Sequence, residues 1–142
     1  MNKVAVVYWS GTGNTQQMAE AVEAGAKNAG AGVSLFTPSQ FSAGMMDDYG
    51  AVAFGCPSMG VEELEDAEFE PMFSSLTEKL SGKKIGLFGS YGWGDGEWMR
   101  NWEASCREMG AELAGESVIA QDAPDDEAQA QCEALGAALA ND

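Results

Sequence analysis

Short apolar runs alternate with stretches of helical periodicity along the whole chain, and no other feature restricts the fold as much. Residues 4–9 are apolar without alternation, which marks a strand buried on both faces. From Thr15 onward Met18, Ala21, Val22, Gly25, Ala26 and Ala29 recur three or four apart, so a helix follows, and Gly30 and Gly32 end it. Apolar runs predict further strands at 33–37, 51–56, 85–89 and 117–121. A short helix is expected within 39–48. A longer one is expected over 65–80, with Phe69, Met72, Phe73, Leu76 and Leu80 inward and Pro71 near its start. Residues 97–109 read as a helix with Trp98, Trp102, Cys106 and Met109 on one face. The last helix starts within 124–127, where acids suit a helix N-terminus, and buries Ala128, Cys132, Leu135 and Leu139.

Regular strand–helix alternation implies an α/β fold with a parallel sheet covered on both faces. With no repeat and no linker, residues 1–142 read as a single domain. Ligands of such sheets bind at the carboxyl ends of the strands, at a topological switch point. The segments after the first, third and fourth strands, residues 10–15, 57–65 and 90–98, are therefore expected to meet at one rim.

Seven Lys and Arg against 23 Asp and Glu give a net charge of −16. That repels nucleic acid and anionic lipid and suits basic protein partners, although some of the acid serves only solubility. The chain has no His, which removes Ser-His-Asp and Cys-His catalysis and the commonest metal ligand. Cys56, Cys106 and Cys132 are scattered without ligand spacing and read as reduced, buried thiols. Residues 4–9 are too short for a secretory segment, and no run approaches the roughly 18 apolar residues of a membrane span. A soluble cytoplasmic protein is expected.

Ser10-Gly11-Thr12-Gly13-Asn14-Thr15 lies between a strand and a helix. Its glycines let backbone approach a ligand, its hydroxyls donate, and the helix N-terminus adds free N–H groups. It lacks the Lys of a Walker loop and the GxGxxG spacing. The plainer reading is a glycine-softened turn with a helix cap. In the second segment Met59 adjoins Gly60, and six acids fall within 62–70. Met59 as core filler and the acids as a solvated helix start are the plainer readings there. In the third, Trp93 sits on a glycine-rich loop, poorly placed for a core and well placed to stack on a flat ligand, whereas Trp98 reads as core. A phosphate nest, a thioether and an indole on one rim fit a flat ring bearing one phosphate. Flavin mononucleotide (FMN) meets that description better than ATP or NAD.

Three motifs in this order, SGTGNT, Met59-Gly60 with Glu62, and GSYGWGDGEW over 89–98, resemble those of short-chain flavodoxins, and the resemblance covers essentially the whole chain. It implies a doubly wound five-stranded parallel sheet of order 2-1-3-4-5 and a monomer. Ser10, Gly11, Thr12, Gly13, Asn14 and Thr15 would bind the flavin phosphate. Trp93 would cover one face of the isoalloxazine and Met59 the other. Glu62 would meet the N3–H edge, and Gly92 and Trp93 the pyrimidine oxygens. Pro57, Ser58 and Ser90 would lie along the ribityl chain and ring, and the Gly60–Val61 peptide would face N5. Tyr91 and Gly94 belong to the same site loop.

The implied function is low-potential one-electron transfer by non-covalently bound FMN, shuttling between semiquinone and hydroquinone, without enzymatic turnover. Its partners would be redox proteins with basic docking faces, reductases and acceptors that also use ferredoxin-like carriers. The acids within 62–70 and 95–97 would be the docking face. The hydroquinone anion would lie near the phosphate, Glu62 and an acidic protein. At about 4 Å and an effective dielectric of about 20, one such like-charge pair costs on the order of 4 kcal/mol. A loop without Lys or Arg leaves that repulsion uncompensated and the potential low. A quinone- or nitro-reducing flavin enzyme fits less well, with no His and no sign of a nicotinamide site. A phosphoacceptor receiver would need an Asp ending the first or third strand, where Tyr8-Trp9-Ser10 and Gly55-Cys56-Pro57 stand. A flavin store without redox partners is the third alternative.

Val61 departs from the small or polar residue common at that place. A peptide flip from a type I to a type II turn moves the third residue to positive φ, which a β-branched side chain disfavours. Redox titration of Val61→Gly is expected to yield more semiquinone than the parent. An unchanged or smaller yield would contradict this account.

Overall fold

The computed structural model describes residues 3–11, 13–59, 63–92, 94 and 96–141. In chain order the strands are β1 (Lys3–Tyr8), β2 (Gly32–Phe36), β3 (Ala51–Gly55), β4 (Lys84–Tyr91), β5 (Glu112–Leu113) and β6 (Val118–Gln121). The helices are α1 (Asn14–Asn28), α2 (Phe69–Ser75), α3 (Glu97–Glu108) and α4 (Asp126–Ala140). All strands pair in parallel in the order β2-β1-β3-β4-β5, and β6 also pairs with β4. β5 joins β4 at Lys84–Ile85 and β6 joins it at Phe88–Tyr91, so two short strands share the fifth position. The order reverses direction between β1 and β3, which places a switch point there.

Alternation along the strands divides the interior into two cores. Ala5, Val7, Val52, Phe54, Ile85 and Leu87 face the α2–α3 side with Phe69, Phe73, Trp98 and Trp102. Val4, Val6, Ala51, Ala53 and Phe88 face α1 and α4. α1 and α4 approach backbone to backbone. A Cβ on Gly25 would lie 1.9 Å from the Glu133 carbonyl oxygen, and one on Gly136 would lie 2.0 Å from that of Val22. Cys56, Cys106 and Cys132 are free, buried thiols, as the sequence suggests.

The boundaries differ where tertiary pairing outweighs local pattern. β4 runs on to Tyr91, because Ser90 and Tyr91 pair with Ala120 and Gln121; these two residues lie on a strand rather than in the loop expected of them. Gly30, at φ +98°, ends α1, but Gly32 begins β2. Ala19 is buried in α1 where Ala29 was expected. Short 3-10 turns, Pro38–Gln40 and Ala43–Asp48, stand in place of the helix expected within 39–48. Lys83 ties the second of them down by donating to the Met46 and Tyr49 carbonyls.

The helix expected over 65–80 is only α2 followed by a 3-10 turn at Thr77–Lys79. Glu65 sets its start. Its buried carboxylate accepts from the N–H groups of Ala67, Glu68 and Phe69, each at 2.8 Å. Burial alone would raise its pKa, but hydrogen bonds from Phe69, Glu68 and Ala67 outweigh it and hold the carboxyl below its ordinary value. Stability from this cap is present above the ordinary glutamate pKa and is lost as pH falls through the folded value. Urea unfolding of Glu65→Gln should show a loss of about 1–2 kcal/mol at neutral pH. That loss should shrink toward acid pH; a pH-independent difference would contradict the cap.

Candidate functional site

Loops leave the carboxyl ends of β1, β3, β4 and β6 at one rim, and hydrogen bonds running past the strand ends hold them there. The Trp9 N–H donates to the Gly55 carbonyl at 3.0 Å and Cys56 to Phe88 at 3.1 Å. Ser58 donates to Ser90 at 2.9 Å and Asp122 to Tyr91 at 2.8 Å. Between the loops lies a cleft of ≈ 240 Å³. Gly11, Asn14, Pro57, Ser58, Met59, Ser90, Tyr91 and Gly92 line it, all of them expected from sequence.

Beside this cleft α1 begins without a side-chain cap from its N-cap residue, Gly13, whose φ is +94°. Only glycine adopts that conformation without strain. The Ser10 hydroxyl oxygen accepts from the N–H groups of Gly13 at 3.0 Å and Gln16 at 3.3 Å. Helix geometry leaves the Asn14 and Thr15 N–H groups without intrahelical acceptors. The buried Thr15 hydroxyl lies 3.0 Å from that of Ser90, which links the start of α1 to β4. Two other helix starts are filled by the protein's own carboxylates, Glu65 at α2 and Asp125, which accepts from Ala128 N–H at 2.8 Å, at α4; α3, like α1, has a glycine at its N-cap, Gly96. The start of α1 is thus a set of backbone and hydroxyl donors suited to an anion, and no Lys or Arg lines the cleft among the described residues.

Met59 and Glu63 exchange backbone hydrogen bonds of 2.8 and 2.9 Å. The Met59 side chain is 37% exposed at the rim, so it does not fill the core. Trp98 does, at 2% exposure, with its indole N–H donating to the Cys56 carbonyl at 3.2 Å. Gly94 is exposed with φ +89°. Thr12, Gly60, Val61, Glu62 and Trp93, also expected at the site, lie outside the described residues. Burial, aided by the Glu65 charge and opposed by the Glu65 N–H, pushes the Cys56 thiol up to about 12, so it supplies no thiolate beside the cleft. No cluster of His, Cys, Asp and Glu suited to a metal occurs among the described residues.

Two cleft residues escaped the sequence reading. Trp9 closes the apolar run that reads as strand, yet its ring lies over Gly11, where a Cβ would meet it at 2.9 Å, and its N–H donates to Glu68 at 2.8 Å. Asp122 lies beyond β6 with φ +58° and also lines the cleft. The topology itself was a usable signal, because the fifth strand position ends at the same rim as the others.

The donor set, and a cleft lined by no Lys or Arg among the described residues, fit FMN. A flavodoxin family model matches residues 6–136. The flavodoxin of Megasphaera elsdenii is 46% identical over 96% of this chain and 98% of its own. That of Clostridium beijerinckii is 42% identical over the same shares. The solution structure of two-electron reduced Megasphaera elsdenii flavodoxin superposes with a TM-score of 0.89 over 96% of this chain and 98% of that one. With its sheet order and its site loops, this chain belongs to the flavodoxin family and is an FMN-binding electron-transfer protein.

Proposed function

We propose that Ser10, Gly11, Thr12, Gly13, Asn14 and Thr15 hold the FMN phosphate, and that they do so without a cation to keep the bound flavin at low potential. The observation carrying this reading is the start of α1, which meets the cleft with hydroxyls and free N–H groups and no carboxylate cap, while α2 and α4 are closed by carboxylates. Pro57, Ser58 and Ser90 lie along the ribityl chain, and Gly92 and Gly94 shape the loop at the pyrimidine edge. Met59 and Trp93 cover the two ring faces, with Tyr91 supporting the loop from β4. Gly60, Val61 and Glu62 face the N5 and N3 side. FMN when bound supplies reversible acceptance of single electrons. The polypeptide positions it, excludes water from its phosphate and sets its potential by charge.

The partners in this reading are redox proteins with basic docking faces, drawn by the −16 charge. The chain acts as a single-domain monomer in the cytoplasm, away from nucleic acid and membrane. No described helix is long and apolar enough to cross a bilayer.

Dithionite titration of the FMN-loaded protein should show two separated one-electron steps; a single two-electron step would overturn the carrier reading. Asn14→Lys should raise the lower of the two potentials. An added interaction of about 1 kcal/mol at this half-buried position corresponds to roughly 40 mV for one electron. No change, or a fall, would contradict the role assigned to the missing cation.

A further inference from the structure

α1 and α4 close on each other through Gly25 and Gly136, but α2 and α3 leave an open groove of ≈ 500 Å³ between them. Its floor includes the buried Phe73, Trp98 and Trp102. Exposed Glu63, Asp66 and Glu70 also line it, and none of its described lining residues is cationic. The groove adjoins the cofactor cleft. Glu63 pairs with Met59, and the Trp98 ring packs 5.5 Å from that of Tyr91.

We propose that this groove docks a cationic, amphipathic segment of a redox partner. One apolar side chain sits on Phe73, Trp98 and Trp102. Flanking Lys or Arg side chains pair with Glu63, Asp66 and Glu70. Charge decides the occupant: a second copy of a −16 chain is repelled, whereas a basic segment is drawn in. Continuity with the cleft brings that segment to the place where electrons leave. This inference rests on the electron-carrier reading and adds to it a defined apolar seat within the acidic face.

The test is NMR of the FMN-loaded protein titrated at low salt with acetyl-Lys-Phe-Lys-amide. Saturable shifts are expected at the Trp102 indole N–H and the Met109 methyl, which lies in the same groove. The double variant Asp66→Asn, Glu70→Gln should raise the dissociation constant about tenfold. Ser105→Trp, which fills the groove from an exposed helical position without changing charge, should abolish binding. Equal binding of acetyl-Lys-Gly-Lys-amide would overturn the apolar seat. Shifts confined to residues 9–15 and 90–92, or none that saturate, would overturn the groove altogether. Failure to retain FMN would be seen separately in the flavin absorbance, and would count against the carrier reading rather than the groove.

Discussion

Backbone hydrogen bonds that continue past the strand ends are the constraint on which the site depends. Trp9 to Gly55, Cys56 to Phe88, Ser58 to Ser90 and Asp122 to Tyr91 carry the parallel ladder out into the loops. Loops held this way enter binding already ordered, so less conformational entropy is lost when a ligand arrives. The strands themselves are held by two apolar cores, and each residue that turns inward on one face has neighbours turned to the other. Rigidity made by burial at the centre of the sheet is delivered to the rim by these four bonds.

Charge is distributed by the same logic. The chain is strongly acidic, and its own carboxylates close two helix N-termini, Glu65 at α2 and Asp125 at α4. α1, which starts at the switch point, is spared. In the proposed reading, an anion is accepted where the protein supplies only dipoles and hydroxyls, inside a molecule whose net charge opposes it. The two faces also differ in how they are closed. Glycine lets α1 and α4 meet at the backbone, while the bulk of Phe69, Phe73 and Trp102 spaces α2 from the sheet and from α3.

Much of this was legible in the residues. The alternation of apolar runs predicts every long strand, and the SGTGNT stretch marks the place where β1 gives way to α1. What escaped had no local signal. β5 is two residues long and exists because Glu112 N–H reaches the Lys83 carbonyl, a pairing across the sheet. Ser90 and Tyr91 read as loop because glycines follow them, yet strand pairing with β6 overrides that composition. Glu65 looked like one acid among six, and only its burial under three N–H groups separates it from its solvated neighbours. Trp9 and Asp122 became visible as cleft residues only once the loops were brought together.

The central claim is that an anion nest without cationic side chains holds the FMN phosphate inside an acidic protein. The salt dependence of FMN affinity tests it most directly, by fluorescence quenching of the apoprotein, with riboflavin as the phosphate-free control. Screening weakens repulsion between the phosphate and the surrounding carboxylates, while dipolar and hydroxyl contacts at close range are little affected. FMN binding should therefore tighten or hold steady as salt rises, with no matching change for riboflavin. Affinity for FMN that falls steeply with salt, as it does where Lys or Arg grips a phosphate, would contradict the account.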